Sequence, residues 1–270
     1  MKIRIKFAKS GIARFIGHLD VMRYFQKAMR RAGVAIRYSG GFSPHQIMSF
    51  AAPLGVGITS NGEYLDIEVD DQEDTATMSR RLNQVMAEGF SIRSCRVLSD
   101  NAGNAMSLVA AASYTVAFRP GYVPENAGQW MQDLVKFYGQ ERVPITKKTK
   151  KGQKELDLKP LIYQLSLKPL NHTCLSAEAA QETAPALSCL PAEAVQETAP
   201  VLFMMISTGS TENIKPDLVL DAYYQHLGQE RPEFAFQIQR EEVYARKNPE
   251  KEGPYSAGDF IPLEEFGCIN

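Results

Sequence analysis

Residues 2–33 read KIRIKFAKSGIARFIGHLDVMRYFQKAMRRAG, and the change of period inside them decides the fold. Lys2 to Phe7 alternates charged and apolar residues, the period-two pattern of a strand that turns Ile3, Ile5 and Phe7 to a buried face. From Asp20 to about Ala32 the period is helical. Met22, Phe25, Met29 and Ala32 recur every three or four residues, Asp20 is placed to cap the start, and Gly33 occupies the stop position. The same spacing sends Arg23, Lys27 and Arg30 to another side of the helix, with Arg31 beside them and no acidic i,i+4 partner.

Further along, Val34 to Tyr38 is expected as a second strand, and Tyr64 to Val69 as a third after an Asn61-Gly62 turn. Thr75 to Glu88 carries Met78, Leu82, Val85 and Met86 at helical spacing, and Ser91 to Leu98 permits a closing strand. The succession β-α-β-β-α-β is that of a ferredoxin-like sandwich, with two helices on one face of an antiparallel sheet. After a linker at Asp100 to Gly103 the order recurs. A strand is expected at Ser113 to Arg119, a helix at Glu125 to Gly139, and strands at Val143 to Thr146 and Glu155 to Leu167 around a basic hairpin tip at Lys147 to Lys154. Val201 to Ser207, a helix at Pro216 to Gly228 and a strand at Phe234 to Tyr244 complete it. The expectation is therefore an α+β chain of two tandem ferredoxin-like sandwiches, residues 1–100 and 104–247, with a tail at 248–270 that carries no evident role.

One insertion interrupts the second unit. CLSAEAAQETAPAL at 174–187 returns fifteen positions later as CLPAEAVQETAPVL, a duplication within 174–202. Two copies cannot build a solenoid, and the Ala, Glu, Thr and Pro content suits a surface excursion without chemistry.

With 270 residues and 44% hydrophobic content the chain can bury a sizeable core. No run of eighteen apolar residues occurs and MKIRIKFAKSG lacks the apolar centre of a signal peptide, so the expectation is a cytoplasmic protein without a membrane segment. Cysteines at 95, 174, 189 and 268 are too few and scattered for a disulfide framework, and form neither the C-x-x-C pairs of structural zinc nor an iron–sulfur triplet. They read as free thiols.

The formal charge of -1 conceals polarisation. Residues 1–45 hold ten Lys or Arg against one acid, Asp20, whereas Glu63 to Asp74 holds seven acids and no base. Lys147, Lys148, Lys150, Lys151 and Lys154 form a second basic cluster. Such asymmetry concentrates anions on one face whatever the net charge.

Two of the four histidines fall in this basic segment: His18 at the helix start and His45 in Gly40-Gly41-Phe42-Ser43-Pro44-His45, a loop whose glycines allow close backbone approach. Three readings stand side by side. His18, His45 and the basic stripe could bind a phosphorylated or nucleic-acid ligand with Phe42 stacking on a base. His18, Asp20 and His45 could form a two-His, one-carboxylate metal site or supply acid–base catalysis. Or Asp20 is only a cap, His18 anchors a turn and His45 is a surface residue. No phosphate-cradling G-x-x-x-x-G-K-[ST], G-x-G-x-x-G, H-E-x-x-H or G-x-S-x-G is present.

GHLDVMRYFQKAMRRAG at 17–33, YSGGFSPHQIMSFAAPLGVGITSNGEYLDIE at 38–68, KKTKKGQKELDLKPLI at 147–162 and STGSTENIKPDLVLDAY at 207–223 resemble the radical SAM-linked protein family, a bacterial domain of unknown function. The resemblance covers most of residues 1–245. It implies a partner, a radical SAM protein with a cobalamin-type domain, to which such domains are fused or beside which they are encoded. This chain has no C-x-x-x-C-x-x-C and so lacks the ligands for that cluster. The duplicated insertion is a departure from the family.

The expected function is that of a non-catalytic accessory protein, without a cofactor of its own, that presents RNA or another polyanion to a radical SAM enzyme. Arg14, His18, Arg23, Lys27, Arg30, Phe42, Ser43 and His45 would form one contact surface, and Lys147, Lys148, Lys150 and Lys151 a second. The alternatives are an enzyme, a nuclease or metal-dependent hydrolase using His18, Asp20 and His45, and a subunit that only docks onto a protein.

Overall fold

The computed structural model describes residues 1–70, 74–149, 152–168, 200–209 and 212–269. It is an α+β chain built on a large, mostly antiparallel sheet with few helices. In chain order the first half comprises β1 (Lys2–Lys9), α1 (His18–Arg31), β2 (Met48–Phe50), β3 (Thr59–Glu68), α2 (Thr75–Val85) and β4 (Phe90–Leu98). The second half begins with a short helical turn, α3 (Ala105–Leu108), followed by β5 (Val109–Phe118), α4 (Ala127–Phe137), β6 (Pro144–Thr149), β7 (Gly152–Asp157) and β8 (Ile162–Lys168). It ends with β9 (Val201–Ser207), α5 (Pro216–His226) and β10 (Phe236–Arg246), and two short strands follow, β11 (Phe260–Pro262) and β12 (Gly267–Cys268). No helix among the described residues is long and apolar enough to cross a membrane.

The sheet runs β12-β4-β1-β3-β10-β5-β9-β8, with β2 paired to β3 and β11 to β10, while β6 and β7 form a separate ribbon. The halves meet where β3 and β10 run parallel, Gln239 opposite Thr59 and Arg240 opposite Ser60; the other ladders are antiparallel.

Alternation in β1 does what its sequence requires. Ile3, Ile5 and Phe7 pack with Val21, Phe25 and Met29 of α1 and Met78 and Leu82 of α2. Arg4 and Lys6 take the opposite face. The end of α1 is closed by Gly33 at φ 64, with Gly33 N–H donating to Arg30 and Val34 N–H to Met29, the paired bonds that terminate a helix on a left-handed glycine. A second core around Met131, Leu134, Leu202, Met204 and Leu220 fills the other half.

Four expectations change. Val34 to Tyr38 is not a strand. It makes two isolated bridges, Ile36 with Val69 and Tyr38 with Gln46, and the edge strand is the three-residue β2. Asn61-Gly62 is not a turn but lies inside β3, because β10 passes so close that a Cβ on Gly62 would stand 2.7 Å from the Glu241 carbonyl oxygen. The lysine-rich stretch is ladder rather than tip as far as Thr149 and Gly152, with Lys147 opposite Lys154; Lys150 and Lys151 lie outside the described residues. The tail is part of the sheet: β11 pairs with β10, β12 pairs with β4, and Leu263 between them is fully buried. Most of the duplicated insertion, residues 174–199, also lies outside the described residues.

Candidate functional site

α1 starts one turn earlier than its sequence suggests. Gly17 is the N-cap without a side-chain cap bond, His18 is the first helical residue, and Asp20 lies in the first turn. There Asp20 favours the positive end of the helix and accepts from Arg23 at 3.1 Å, an exposed pair spaced i,i+3. The buried stripe is Val21, Phe25, Ala28 and Met29, with Met22 only half-buried. Arg23, Lys27 and Arg30 all face solvent, and Lys27 and Arg30 make no ion pair among the described residues. Arg31 stands over the Tyr24 ring and donates to the Val85 carbonyl.

The glycine-flanked loop is clamped onto this helix. Gln46, buried, donates through Nε2 to the Gln26 carbonyl of α1 at 3.2 Å and meets the Tyr38 hydroxyl at 3.4 Å. The loop closes on itself through Ser39 and His45. Ser39 N–H donates to the His45 carbonyl, His45 N–H donates to Ser39 Oγ, and Oγ lies 2.8 Å from His45 Nδ1. Gly41 at φ 99 turns the tip, and Phe42 is fully exposed there with Ser43 and His45 beside it. The loop with the exposed aromatic is thereby tied to the helix that carries Arg23, Lys27 and Arg30, at the position of Gln26 among them.

Other parts of the expected surface are not assembled. Among the described residues no three His, Cys, Asp or Glu side chains come together as metal ligands, so His18, Asp20 and His45 do not form a two-His, one-carboxylate set. His18 turns inward, its ring edge-on to Phe50 with centroids 5.4 Å apart, while His45 stays with Ser39. Arg14 is half-buried, packed over the Phe15 ring at 4.8 Å, with its Nε buried and unpartnered among the described residues. The positive segment is also less open than its composition suggests. Arg4 is fully buried and clasps Asp66 with two bonds of 2.8 and 2.9 Å; Lys6 pairs with Glu242 and Glu264; Arg37 pairs with Glu68 and Asp70. The acidic strand thus takes up Arg4 and Arg37, and Glu242 and Glu264 take up Lys6, while the outer face of α1 stays open.

Sequence reasoning missed a buried ionic group behind His18. Glu63 and Arg240, both nearly inaccessible, pair at 3.0 Å; Arg240 also donates to the Tyr114 hydroxyl. Lys9, buried at the end of β1, donates to the Ile16 carbonyl at 2.7 Å. Lys9, His18 and Glu63 line one small cavity with Phe7, Phe50 and Leu54. Burial lowers the His18 pKa, Glu63 opposes that shift and Lys9 reinforces it; burial likewise lowers that of Lys9 against the pull of Glu63. Glu63 holds the Arg240 guanidinium charged against the cost of its burial. Continuing the β1 alternation two residues past Phe7 would have placed Lys9 on the inner face. Nothing local in the sequence marks Arg240 as the partner of Glu63.

The family can now be stated. The chain belongs to a family of uncharacterized proteins conserved in bacteria (DUF2344), whose model matches residues 2–216. No curated protein matches it. The matched residues include the α1 face, the Gly40–His45 loop and the Lys9, His18 and Glu63 cavity, and they stop at the first residue of α5.

Proposed function

We propose that the protein is an accessory RNA-binding subunit whose contact surface is the outer face of α1 together with the loop clamped onto it. The observation that carries this reading is the Gln46 to Gln26 bond, which ties the loop bearing the exposed Phe42 to α1, the helix whose exposed cations Lys27 and Arg30 have no carboxylate partner among the described residues. A cationic face that tracks phosphates beside an aromatic on which a base can stack is a sequence-tolerant way to hold single-stranded RNA. The sequence resemblance to radical SAM-linked proteins supplies the second element of the proposal, a radical SAM enzyme with a cobalamin-type domain to which the RNA is presented in the cytoplasm. Lys147, Lys148, Lys150 and Lys151 are a second proposed contact in this reading.

The fold reading belongs with it. β4-β1-β3-β2 and β10-β5-β9-β8 place four strands of each half in the same relative order, with two helices in each connection scheme, which supports two tandem ferredoxin-like units.

The test is binding of a labelled single-stranded RNA by the full chain at two salt concentrations. If six to ten phosphates are contacted, affinity falls by about 10³ to 10⁵ between about 50 and 200 mM salt. Lys27→Glu with Arg30→Glu should lower the slope of log affinity against log salt by about 2, one for each lost contact. Salt-insensitive binding, or a slope unchanged in that variant, sinks the proposal.

A second reading rests on Lys9, His18 and Glu63. If the chain has chemistry of its own, their shared cavity favours them over Asp20 and His45. His18→Gln would then abolish turnover while leaving RNA affinity intact, and His45→Ala would leave turnover unchanged.

A further inference from the structure

The two halves enclose a cleft of about 800 Å³ whose contents the α1 surface does not explain. Its first wall is the Ala51 to Ile58 segment with Phe15; its second is the start of α5, the end of β9 and the chain entering β10. Two features set it apart from ordinary surface.

The first is an apolar rim. Phe15, Val56, Met106 and Phe234 line the cleft and are all more than half exposed, in a protein that buries most of its large apolar side chains. Four such side chains around one concavity form a patch that stays apolar for a reason, and two of them are phenyl rings able to stack on a planar group.

The second is unsatisfied polarity within the same concavity. Thr208, 4% exposed, stands between this cleft and the neighbouring one lined by Tyr163 and Tyr255, and its buried hydroxyl has no hydrogen-bond partner among the described residues. Buried hydroxyls in native structures are normally paired, so this one is left for a water or a ligand atom. Lys215, exposed at the N-cap of α5, makes no ion pair among the described residues, and that helix start has no side-chain cap bond. The acid in the first turn, Asp217, pairs with Arg231 at 3.2 Å, a guanidinium it shares with Asp221 at 2.5 Å. Arg119 donates its Nε to the Phe236 carbonyl and has no carboxylate partner among the described residues. Arg240 in the floor is neutralised by Glu63. What remains without an ion-pair partner among the described residues is Lys215 and Arg119, with Glu233 in the wall as an acceptor for hydroxyl or amino groups.

We infer that this cleft binds a single nucleotide through its 5′-phosphate and base, the phosphate at Lys215 and the α5 N-terminus and the base against the phenyl-bearing rim. The inference rests on the RNA reading for its ligand class and locates where one nucleotide of that RNA is singled out. The volume lies within the roughly 300–1,000 Å³ of ordinary small-ligand pockets. Helix starts and lone cations hold phosphate by dipole and charge, and aromatic side chains hold bases through their π faces.

The test uses the full chain and calorimetric titration with AMP, GMP, CMP and UMP, the corresponding nucleosides, and inorganic phosphate. At least one monophosphate should bind with a dissociation constant below about 1 mM, and its nucleoside at least tenfold more weakly. Lys215→Glu and Phe234→Ala, both at exposed positions, should each weaken it about tenfold or more. Lys27→Glu with Arg30→Glu should leave it unchanged while weakening RNA. Failure of all four monophosphates to bind, or equal binding by wild type and Lys215→Glu, overturns the cleft assignment even where RNA binding stays salt-dependent. Loss of salt-dependent RNA binding with mononucleotide binding intact overturns the α1 surface instead.

Discussion

The two halves of the sheet share one strand order and spend their edge strands differently. In the second half β8 is seven residues long and backs a core of aliphatic and aromatic side chains. In the first half the corresponding edge shrinks to the three residues of β2, and the chain before it leaves the sheet as a loop bonded to α1. The lesson is one of allocation. Backbone that pairs in a ladder is fixed by its neighbours and hidden, whereas backbone released from the ladder can carry Phe42 and His45 into solvent, where binding residues belong. Between the halves lies the parallel contact of β3 and β10, and two ion pairs, Glu63 with Arg240 and Lys6 with Glu242, cross it.

The largest effect should come from breaking that junction. Arg240→Ala leaves Glu63 buried without its partner, and chemical denaturation should show a loss of about 3–5 kcal/mol. Replacing both, Glu63→Gln with Arg240→Met, should cost less than the single change, since neither charge is then stranded. If Arg240→Ala costs less than about 1 kcal/mol, a surface-pair value, the halves are held by something else.

Next comes the tail that straps both halves. Leu263 is fully buried and its carbonyl accepts from Arg4 at 2.9 Å. Leu263→Ala should cost about 2–5 kcal/mol, the range for a truncated core side chain, and a smaller loss would return the tail to the status of an appendage.

Glycine substitutions then contrast ladder with loop. Gly62→Ala drives a methyl group against the β10 backbone, with a cost of about 1–3 kcal/mol by thermal or denaturant unfolding. Gly40→Ala meets nothing within 4 Å and should change stability by less than about 0.5 kcal/mol.

A smaller effect is visible in pH. Burial keeps the His18 pKa below its ordinary 6.5, with Lys9 adding to the shift and Glu63 opposing it. The unfolded chain therefore takes up this proton first, and stability should fall as pH drops from 6.5 through the folded-state value. One proton contributes at most about 1.4 kcal/mol per pH unit, and His18→Asn should flatten that part of the curve. Glu264, whose carboxyl burial would raise but Lys6 bonds hold below 4.5, acts in a lower window, where stability is lost as pH falls beneath that value. An unchanged slope in His18→Asn would mean that the imidazole is not buried.

The smallest stability change belongs to the loop tip. Phe42→Ala should leave unfolding within about 0.5 kcal/mol of wild type while weakening RNA. A marked loss of stability would mean that Phe42 packs rather than binds.

Much of the frame was legible because it rests on local period. The Ile3, Ile5 and Phe7 alternation, the Phe25 to Met29 spacing and the Gly33 stop each involve residues within a few positions of one another. The misreadings occurred where a distant segment overruled a local signal. Asn61-Gly62 has the composition of a turn, yet Glu241 requires a residue without Cβ inside a strand. His18 and Asp20 read as neighbours until the helix starts at His18, after which residues two apart point in different directions. Arg4, Lys6 and Arg37 counted as free cations until the chain returned their carboxylates.

The linear order of residues by itself determined the α+β character of the chain, the elements β1, α1 and α2 and the cationic outer side of α1, because periodicity within a turn or a strand is settled by near neighbours. Only the tertiary structure decided which charges stay available. Glu63 meets its cation 177 residues later at Arg240, and an ion pair depends on where the backbone comes back, which no local pattern records.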